Sequence, residues 1–264
     1  MIRYTFFALL SLVIFAFSCT PPPVVPAEAA PLELPFEEYS VQGDSIQAEL
    51  DEIYSLLAYS IVYGDWQPDS IPRFDRRGYN IGTILVNSSQ EIAAWGLNCV
   101  NSMDDATQHG EVRAISSFLS SNESFNLKGF TLYTTLEPCV MCAGMATMTS
   151  VERVVYGQKD VDFSGALDRL ALDSKNLGGF APYPRVVTPD PAPTTYRNQL
   201  DAAFKYFLET EEEKFLAKFL ASETAAEIYK AALDEFLTYE VEHPVNQSRY
   251  EAAVAFYKTI NTDN

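Results

Sequence analysis

Between residues 44 and 62, apolar side chains fall at Ile46, Leu50, Ile53, Leu56, Leu57 and Ile61. That spacing predicts a helix with one apolar face, and Asp44 or Ser45 is placed to cap it. The period then changes. Residues 80–87 (NIGTILVN) and Glu91–Cys99 read as two strands joined by a turn at Ser88, Ser89 and Gln90. A helix is predicted from near His109 to about Leu119, and a β-branched and aromatic strand over Phe130–Leu136 (FTLYTTL). Pro138 opens the next helix, to about Met148, at a first-turn position where proline is tolerated. A short buried strand follows at Arg153–Tyr156, then a helix over Ser164–Leu172 and a fifth strand at Arg185–Thr188. Strands alternating with helices argue an α/β sheet covered on both faces.

Residues 189–195 (PDPAPTT) are rich in breakers, and the pattern beyond them is wholly helical. Tyr196–Leu208 forms one helix. Phe215, Phe219, Tyr229, Leu233, Phe236 and Leu237 lie on stripes of one or two more, and Tyr250, Val254 and Tyr257 mark the last. Such stripes are first of all helix core, though aromatic side chains from this region could also close over a planar ligand. Glu211, Glu212 and Glu213 read as a solvated helix start, and His243, before Pro244, as a surface or capping residue.

The N-terminus has a different texture. Phe6–Phe17 is a 12-residue apolar run broken by one serine, preceded by Arg3. It is shorter than the roughly 20 residues a spanning helix needs and has the length of a secretory h-region. Residues 1–18 are therefore read as a signal peptide. Ala16-Phe17-Ser18-Cys19 looks like a bacterial lipobox, in which the chain is cut before Cys19 and its thiol acylated. The Pro-rich stretch that follows cannot form a core and suits an extended tether over residues 19–43. The expectation is an exported, lipid-anchored protein of the cell envelope, with free secretion as the alternative. The division that follows is a domain over 44–190 and a helical extension over 191–264.

Charge narrows the ligands. Eighteen Lys and Arg face 36 Asp and Glu, for a net charge of −18. Nucleic-acid binding rests on neutralising phosphates with Lys and Arg, so no nucleic-acid partner is expected. Contact with an anionic membrane other than through a lipid anchor is disfavoured for the same reason. A small neutral or cationic ligand suits the balance.

Cysteine use points to chemistry. Beyond Cys19 the chain holds Cys99, Cys139 and Cys142, an odd number that makes a poor disulfide framework. Cys99 lies in an apolar run and reads as a small buried residue. Cys139 and Cys142 form a Cys-x-x-Cys pair, either redox-active or metal-binding. Three residues apart at a helix start, they project from one face, where free N–H groups and the positive helix end favour thiolate. His109 and Glu111 are two apart, about 200° on a regular helix, so at a helix start they take different tasks. If the imidazole joins the two sulfurs on one zinc ion, a fourth position stays open to water, as in catalytic rather than structural sites. A closed structural site would need a fourth ligand, and His243 and Cys99 are what remains to supply it.

The segments Thr107-Gln108-His109-Gly110-Glu111 and Thr135-Leu136-Glu137-Pro138-Cys139-Val140-Met141-Cys142 carry the H-x-E and P-C-x-x-C pattern of zinc deaminases. Residues 80–156, and more loosely 44–190, resemble the cytidine-deaminase-like superfamily, within it the branch of tRNA adenosine, guanine and small cytosine deaminases. The resemblance implies a three-layer α/β/α fold with a five-stranded mixed sheet. It implies zinc held by His109, Cys139 and Cys142, with Glu111 as the proton shuttle. It places Asn98, eleven residues before His109, on the substrate base, together with the backbone near Leu136 and Glu137. The implied reaction replaces an amino group by an oxo group on a free base or nucleoside and releases ammonia. A nucleic-acid deaminase and a non-catalytic zinc-containing nucleoside-binding protein are the rival readings. Homo-oligomers are common among such enzymes, which makes one an expectation by analogy.

Overall fold

A computed structural model describes residues 42–172, 175–178 and 185–261. The signal-peptide and lipobox readings and the tether up to residue 41 lie outside the described residues, and the last two tether residues, 42 and 43, open the first helix. No helix among the described residues is long and apolar enough to cross a membrane. The chain runs α1 (Gln42–Gly64), β1 (Gly82–Val86), β2 (Ile92–Leu97), α2 (Gly110–Ser121), β3 (Thr131–Leu136), α3 (Val140–Met148), β4 (Arg153–Gln158), α4 (Ala166–Leu170), β5 (Thr188–Pro191), α5 (Thr195–Thr210), α6 (Leu216–Phe219), α7 (Glu223–Thr238) and α8 (Gln247–Asn261).

The five strands form one sheet in the order β2-β1-β3-β4-β5. β1 pairs antiparallel with both β2 and β3, whereas β3, β4 and β5 are mutually parallel. β1 is thus the one strand of this sheet that runs against the other four. Alternate residues divide the sheet between two apolar layers, as a period of two requires. Ile84, Tyr133 and Val155 join the layer that holds α1 and the C-terminal helices, while Leu85, Leu132 and Val154 join the layer of α2, α3 and α4. This is the expected three-layer α/β/α arrangement.

Two sequence readings change on contact with the structure. The fifth strand lies three residues later than predicted, inside the segment read as a breaker. Thr188, Pro189, Asp190 and Pro191 pair with Arg153, Val154, Val155 and Tyr156. β5 is the sheet's outer strand, where proline's missing N–H need not face a partner. Glu211–Glu213 do not start a helix. Glu211 caps the C-terminus of α5, its N–H donating to the Phe207 carbonyl at 2.9 Å, and the next two lie in the link to α6.

The helix predicted at residues 44–62 is present but is not half-exposed. Ile53 to Val62 are all buried, including Ser55 and Ser60. The C-terminal helices explain this, since Tyr196, Leu200, Phe204, Phe219, Tyr229 and Phe236 share one core with α1 and the sheet. Tyr59 meets Tyr229 edge-on at a 5.1 Å ring separation. A helix covered on every side is apolar or internally satisfied all round. Ser60 meets that demand by donating to the Leu56 carbonyl at 2.7 Å, while the buried Ser55 hydroxyl does not.

A buried polar cluster ties α1 to the sheet. Asp51 accepts from the Tyr133 hydroxyl at 2.8 Å and from Arg153 Nη1 at 2.9 Å, and Arg153 also reaches Asp190 on β5. Removing one member of such a pair strands the other away from water. Asp51→Ala is expected to destabilise the fold by about 3 kcal/mol, read from urea unfolding. Arg249→Ala, whose guanidinium stands 3.8 Å from Glu91 near the surface, should cost less than about 1 kcal/mol in the same measurement.

Candidate metal centre and cavity

β2 and β3 flank β1 and run in the same direction, so the chain leaves both strands at one edge of the sheet. α2 and α3 begin there. His109 is the N-cap of α2 and Cys139 the N-cap of α3, both with extended backbone (φ −71° and ψ 155°; φ −66° and ψ 172°). Cys139 therefore stands just outside the helix, with its carbonyl accepting the first helical bond from Ala143 at 2.9 Å. Pro138 precedes the cap instead of opening the helix. The pre-proline and cap positions favour extended backbone, which moves the helix start to Val140.

The three side chains meet. His109 Nδ1 is 3.5 Å from Cys142 Sγ and 3.7 Å from Cys139 Sγ, and the two sulfurs are 3.7 Å apart. A disulfide would need about 2.05 Å between them. A tetrahedral zinc with bonds of about 2.3 Å to sulfur and about 2.0 Å to nitrogen puts sulfurs about 3.8 Å apart and sulfur about 3.5 Å from nitrogen. The observed triangle has those edges, and one imidazole with two thiols is a donor set zinc takes. The sites fit the metal. The groups already interact electrostatically: hydrogen bonding to Cys142 and His109 pulls the Cys139 thiol down to about 4, while its contact with Cys139 raises His109.

Glu111 sits in the first turn of α2, buried at 3 % exposure, with Oε2 lacking a hydrogen-bond partner. Burial raises its carboxyl above the usual carboxylate range. The approach of α2 to the sheet depends on two glycines. A Cβ on Gly96 would stand 2.5 Å from the Gly110 carbonyl, and one on Gly110 would stand 2.8 Å from the Gly96 carbonyl. Side chains here would push the start of α2, and His109 with it, away from the sheet.

A cavity of about 310 Å³ opens onto His109, Glu111 and Cys139. Leu136 and Glu137, both expected at the substrate, line it. The Glu137 N–H is committed to the Gln158 carbonyl at 2.8 Å; in its side chain Oε1 accepts from Gly165 at 2.7 Å and Oε2 has no partner. Asn98, expected on the substrate base, is fully buried and is not among the residues that line the cavity. Its Oδ1 accepts the N–H of Tyr79, which lines the cavity, at 3.1 Å, and its Nδ2 has no partner. Cys99 is buried as read from the sequence, but it is disulfide-bonded and not a plain core thiol, and His243 caps a short 3₁₀ turn.

Sequence reasoning assigned none of the other walls by residue, though it allowed that aromatic side chains of the C-terminal region could close over a ring. Asp160, Asp162 and Phe163 come from the loop after β4, and Phe215, Leu216 and Leu220 from α6 and its approach. The loop had a usable signal, because ligands gather outside the carboxyl ends of parallel strands. The α6 residues carry none at short range.

Residues 72–158 match the family described as the cytidine and deoxycytidylate deaminase zinc-binding region. A tRNA-specific adenosine deaminase from Haemophilus influenzae is 35% identical over 80 residues, 30% of this chain and 46% of that one. The tRNA-specific adenosine deaminase 2 of Xenopus tropicalis is 33% identical over 103 residues, 37% and 60% of the two chains. This chain thus spans about half the length of the curated relatives it matches. A solved guanine deaminase from Nitrosomonas europaea superposes with a TM-score of 0.37 at 15% identity, over 79% of this chain and 100% of that one.

The geometry assigns metal retention to the three ligands and not to the carboxylate. His109→Ala, Cys139→Ala and Cys142→Ala should each lower zinc content measured by elemental analysis after dialysis, while Glu111→Gln should keep it. Gly96→Ala should lower zinc content as well, though it removes no ligand.

Proposed function

As this chain belongs to the cytidine-deaminase-like zinc deaminase superfamily, we propose that it is a hydrolytic deaminase of a nucleobase or nucleoside. The observation that carries the reading is a buried carboxylate, Glu111, with a free oxygen beside a zinc-fitting trio at the base of a cavity. Zinc held by His109, Cys139 and Cys142 would supply Lewis acidity that makes water a nucleophile near neutral pH.

The remaining work is proton transfer and positioning. Exchange of amino for oxo moves one proton from water to a ring nitrogen; when the C–N bond breaks, the hydroxyl now on the carbon gives up the second, which goes to the departing amine, and ammonia leaves. Glu111 is the group for both relays: burial raises its proton affinity, and its partnerless oxygen is free to accept and donate. Asn98, which the resemblance assigns to the base, keeps a buried N–H donor without a partner behind the Tyr79 wall of the cavity. Leu136 offers an apolar surface at the end of β3.

The test is ammonia release from a panel of free bases and nucleosides, with product mass followed in parallel. Glu111→Gln should lower kcat by at least about 10²-fold without loss of zinc. Turnover equal to the unaltered protein would remove the shuttle role, whereas no ammonia release from any compound by the unaltered zinc-loaded chain would leave a zinc-containing binding protein. A second reading, deamination of adenosine within RNA, draws support from relatives named tRNA-specific adenosine deaminases. An RNA hairpin with a loop adenosine belongs in the same panel.

Export and lipidation at Cys19 complete the proposal, on the h-region, the lipobox-like Ser18-Cys19 and the Pro-rich stretch after it. Detergent partitioning of the intact chain should move it to the detergent phase, and Cys19→Ser should return it to the aqueous phase. Equal partitioning of the two forms would count against the anchor.

A further inference from the structure

The matched family region ends at residue 158, yet one wall of the cavity is built some sixty residues later in the chain. That wall is Phe215 and the start of α6. We infer that Phe215 is a specificity-determining residue that covers the face of a planar amino-heterocycle lacking phosphate, and that the acidic cavity around it turns phosphorylated and polymeric substrates away. The inference rests on the deaminase reading and names its substrate class.

Three observations carry it. First, Phe215 is 65 % exposed although it lines the same cavity as Glu111, and Phe163 across the β4 loop is 52 % exposed. Large aromatic surfaces left open to water beside a reactive carboxylate have a ready partner in a flat ring, and stacking on such a surface is a strong, ring-selective contact.

Second, both aromatic residues are held in place before any ligand arrives. Asp160 accepts the N–H groups of Asp162 and Phe163 at 3.0 and 3.1 Å, which shapes the loop under the Phe163 ring. Phe215 caps α6, and α6 is anchored by the buried side chains of Phe219 and Leu220. The Leu220 carbonyl accepts Asn80 Nδ2 at 2.9 Å, and the Ala221 carbonyl accepts the Asp69 N–H at the same distance. A positioned wall loses little freedom on binding, so its contacts appear as affinity.

Third, the cavity is small and negative. About 310 Å³ lies at the lower end of ligand-site volumes, enough for one base-sized ring system. Glu111, Glu137, Asp160 and Asp162 line it against Arg73 and His109. Zinc would offset the two cysteine thiolates and leave those carboxylates facing the ligand. A phosphate entering this field meets repulsion, and a nucleic-acid strand would bring several.

The experiment uses the intact zinc-loaded chain and has two readouts. Equilibrium dialysis with the slow Glu111→Gln variant measures binding of adenine, guanine and cytosine, their nucleoside 5′-monophosphates and an RNA hairpin. Steady-state kinetics of the otherwise unaltered chain follows the same compounds. Phe215→Ala should weaken binding of the favoured base at least about tenfold and raise KM by a similar factor, with a smaller change in kcat. Phe215→Tyr should restore most of both. The monophosphate should bind at least about tenfold more weakly than its base, with the gap shrinking as salt is added. Base binding unchanged in Phe215→Ala overturns the inference, as does a hairpin that binds or turns over better than every free base. These results leave the deaminase reading standing. A zinc-retaining chain that turns over neither free nor RNA-borne amino-heterocycles sinks that reading instead, and dialysis still decides the role of Phe215.

Discussion

The close approach of one helix end to one sheet edge governs the rest of the molecule. β2 and β3 point the same way on either side of β1, so the segments that follow them emerge together. Emerging together does not suffice for three ligand atoms within 3.5–3.7 Å of each other. The backbone of α2 must also lie nearly in contact with β2, and the facing pair Gly96 and Gly110 permits it. His109 then reaches the cysteine pair from a cap position where its backbone stays extended. Both ligand segments are helix N-termini, whose unpaired N–H groups favour negative charge on the sulfurs. Topology, glycine contact and helix electrostatics all act on the same few atoms.

Around those atoms the protein leaves polar groups unsatisfied, as it also does at Ser55, Tyr59 and Gln158 away from the cavity lining. Ser60, Tyr133 and Asp51 all find partners inside. Glu111 Oε2, Glu137 Oε2 and Asn98 Nδ2 do not. Native interiors contain few such orphans because each costs stability. Two of the three, on Glu111 and Glu137, line one cavity and prepare it for a ligand that brings hydrogen-bond donors, a description that fits an amino-bearing ring. The same carboxylates set the sign of the field that the ligand must cross.

The metal trio and Glu111 were legible because their spacings are local: two residues in one segment and three in the other, with each segment at a strand-to-helix junction. The strand and helix sequence was legible for the same reason. What escaped was non-local or masked by composition. Pro189 and Pro191 read as breakers, yet an outer strand tolerates them. The apolar stripe of α1 looked one-sided because the helices that cover its other side come more than 130 residues later. Asp160 and Phe163 joined the cavity through a loop with no periodic signature. Phe215 looked like one more position on a helical stripe, and only its exposure at the cavity separates it from Phe219 and Phe236, which are core.

That separation shows how the C-terminal helices serve two ends with one piece of chain. Phe219 belongs to the layer shared with α1 and Phe215, one turn earlier, faces the cavity, while Leu216 and Leu220 touch both. Asn80 joins the two jobs: its side chain donates to the Leu220 carbonyl and to the Gln67 carbonyl, and its own carbonyl accepts from the buried Tyr229 hydroxyl. The wall therefore cannot slide without disturbing Asn80, and Asn80 stands just before β1, the strand between the two ligand-bearing segments. A helical region that merely decorated the sheet could drift in sequence without touching the site. Here its packing sets the position of the surface that meets a ligand, so the core of α1 and the shape of the cavity are constrained together.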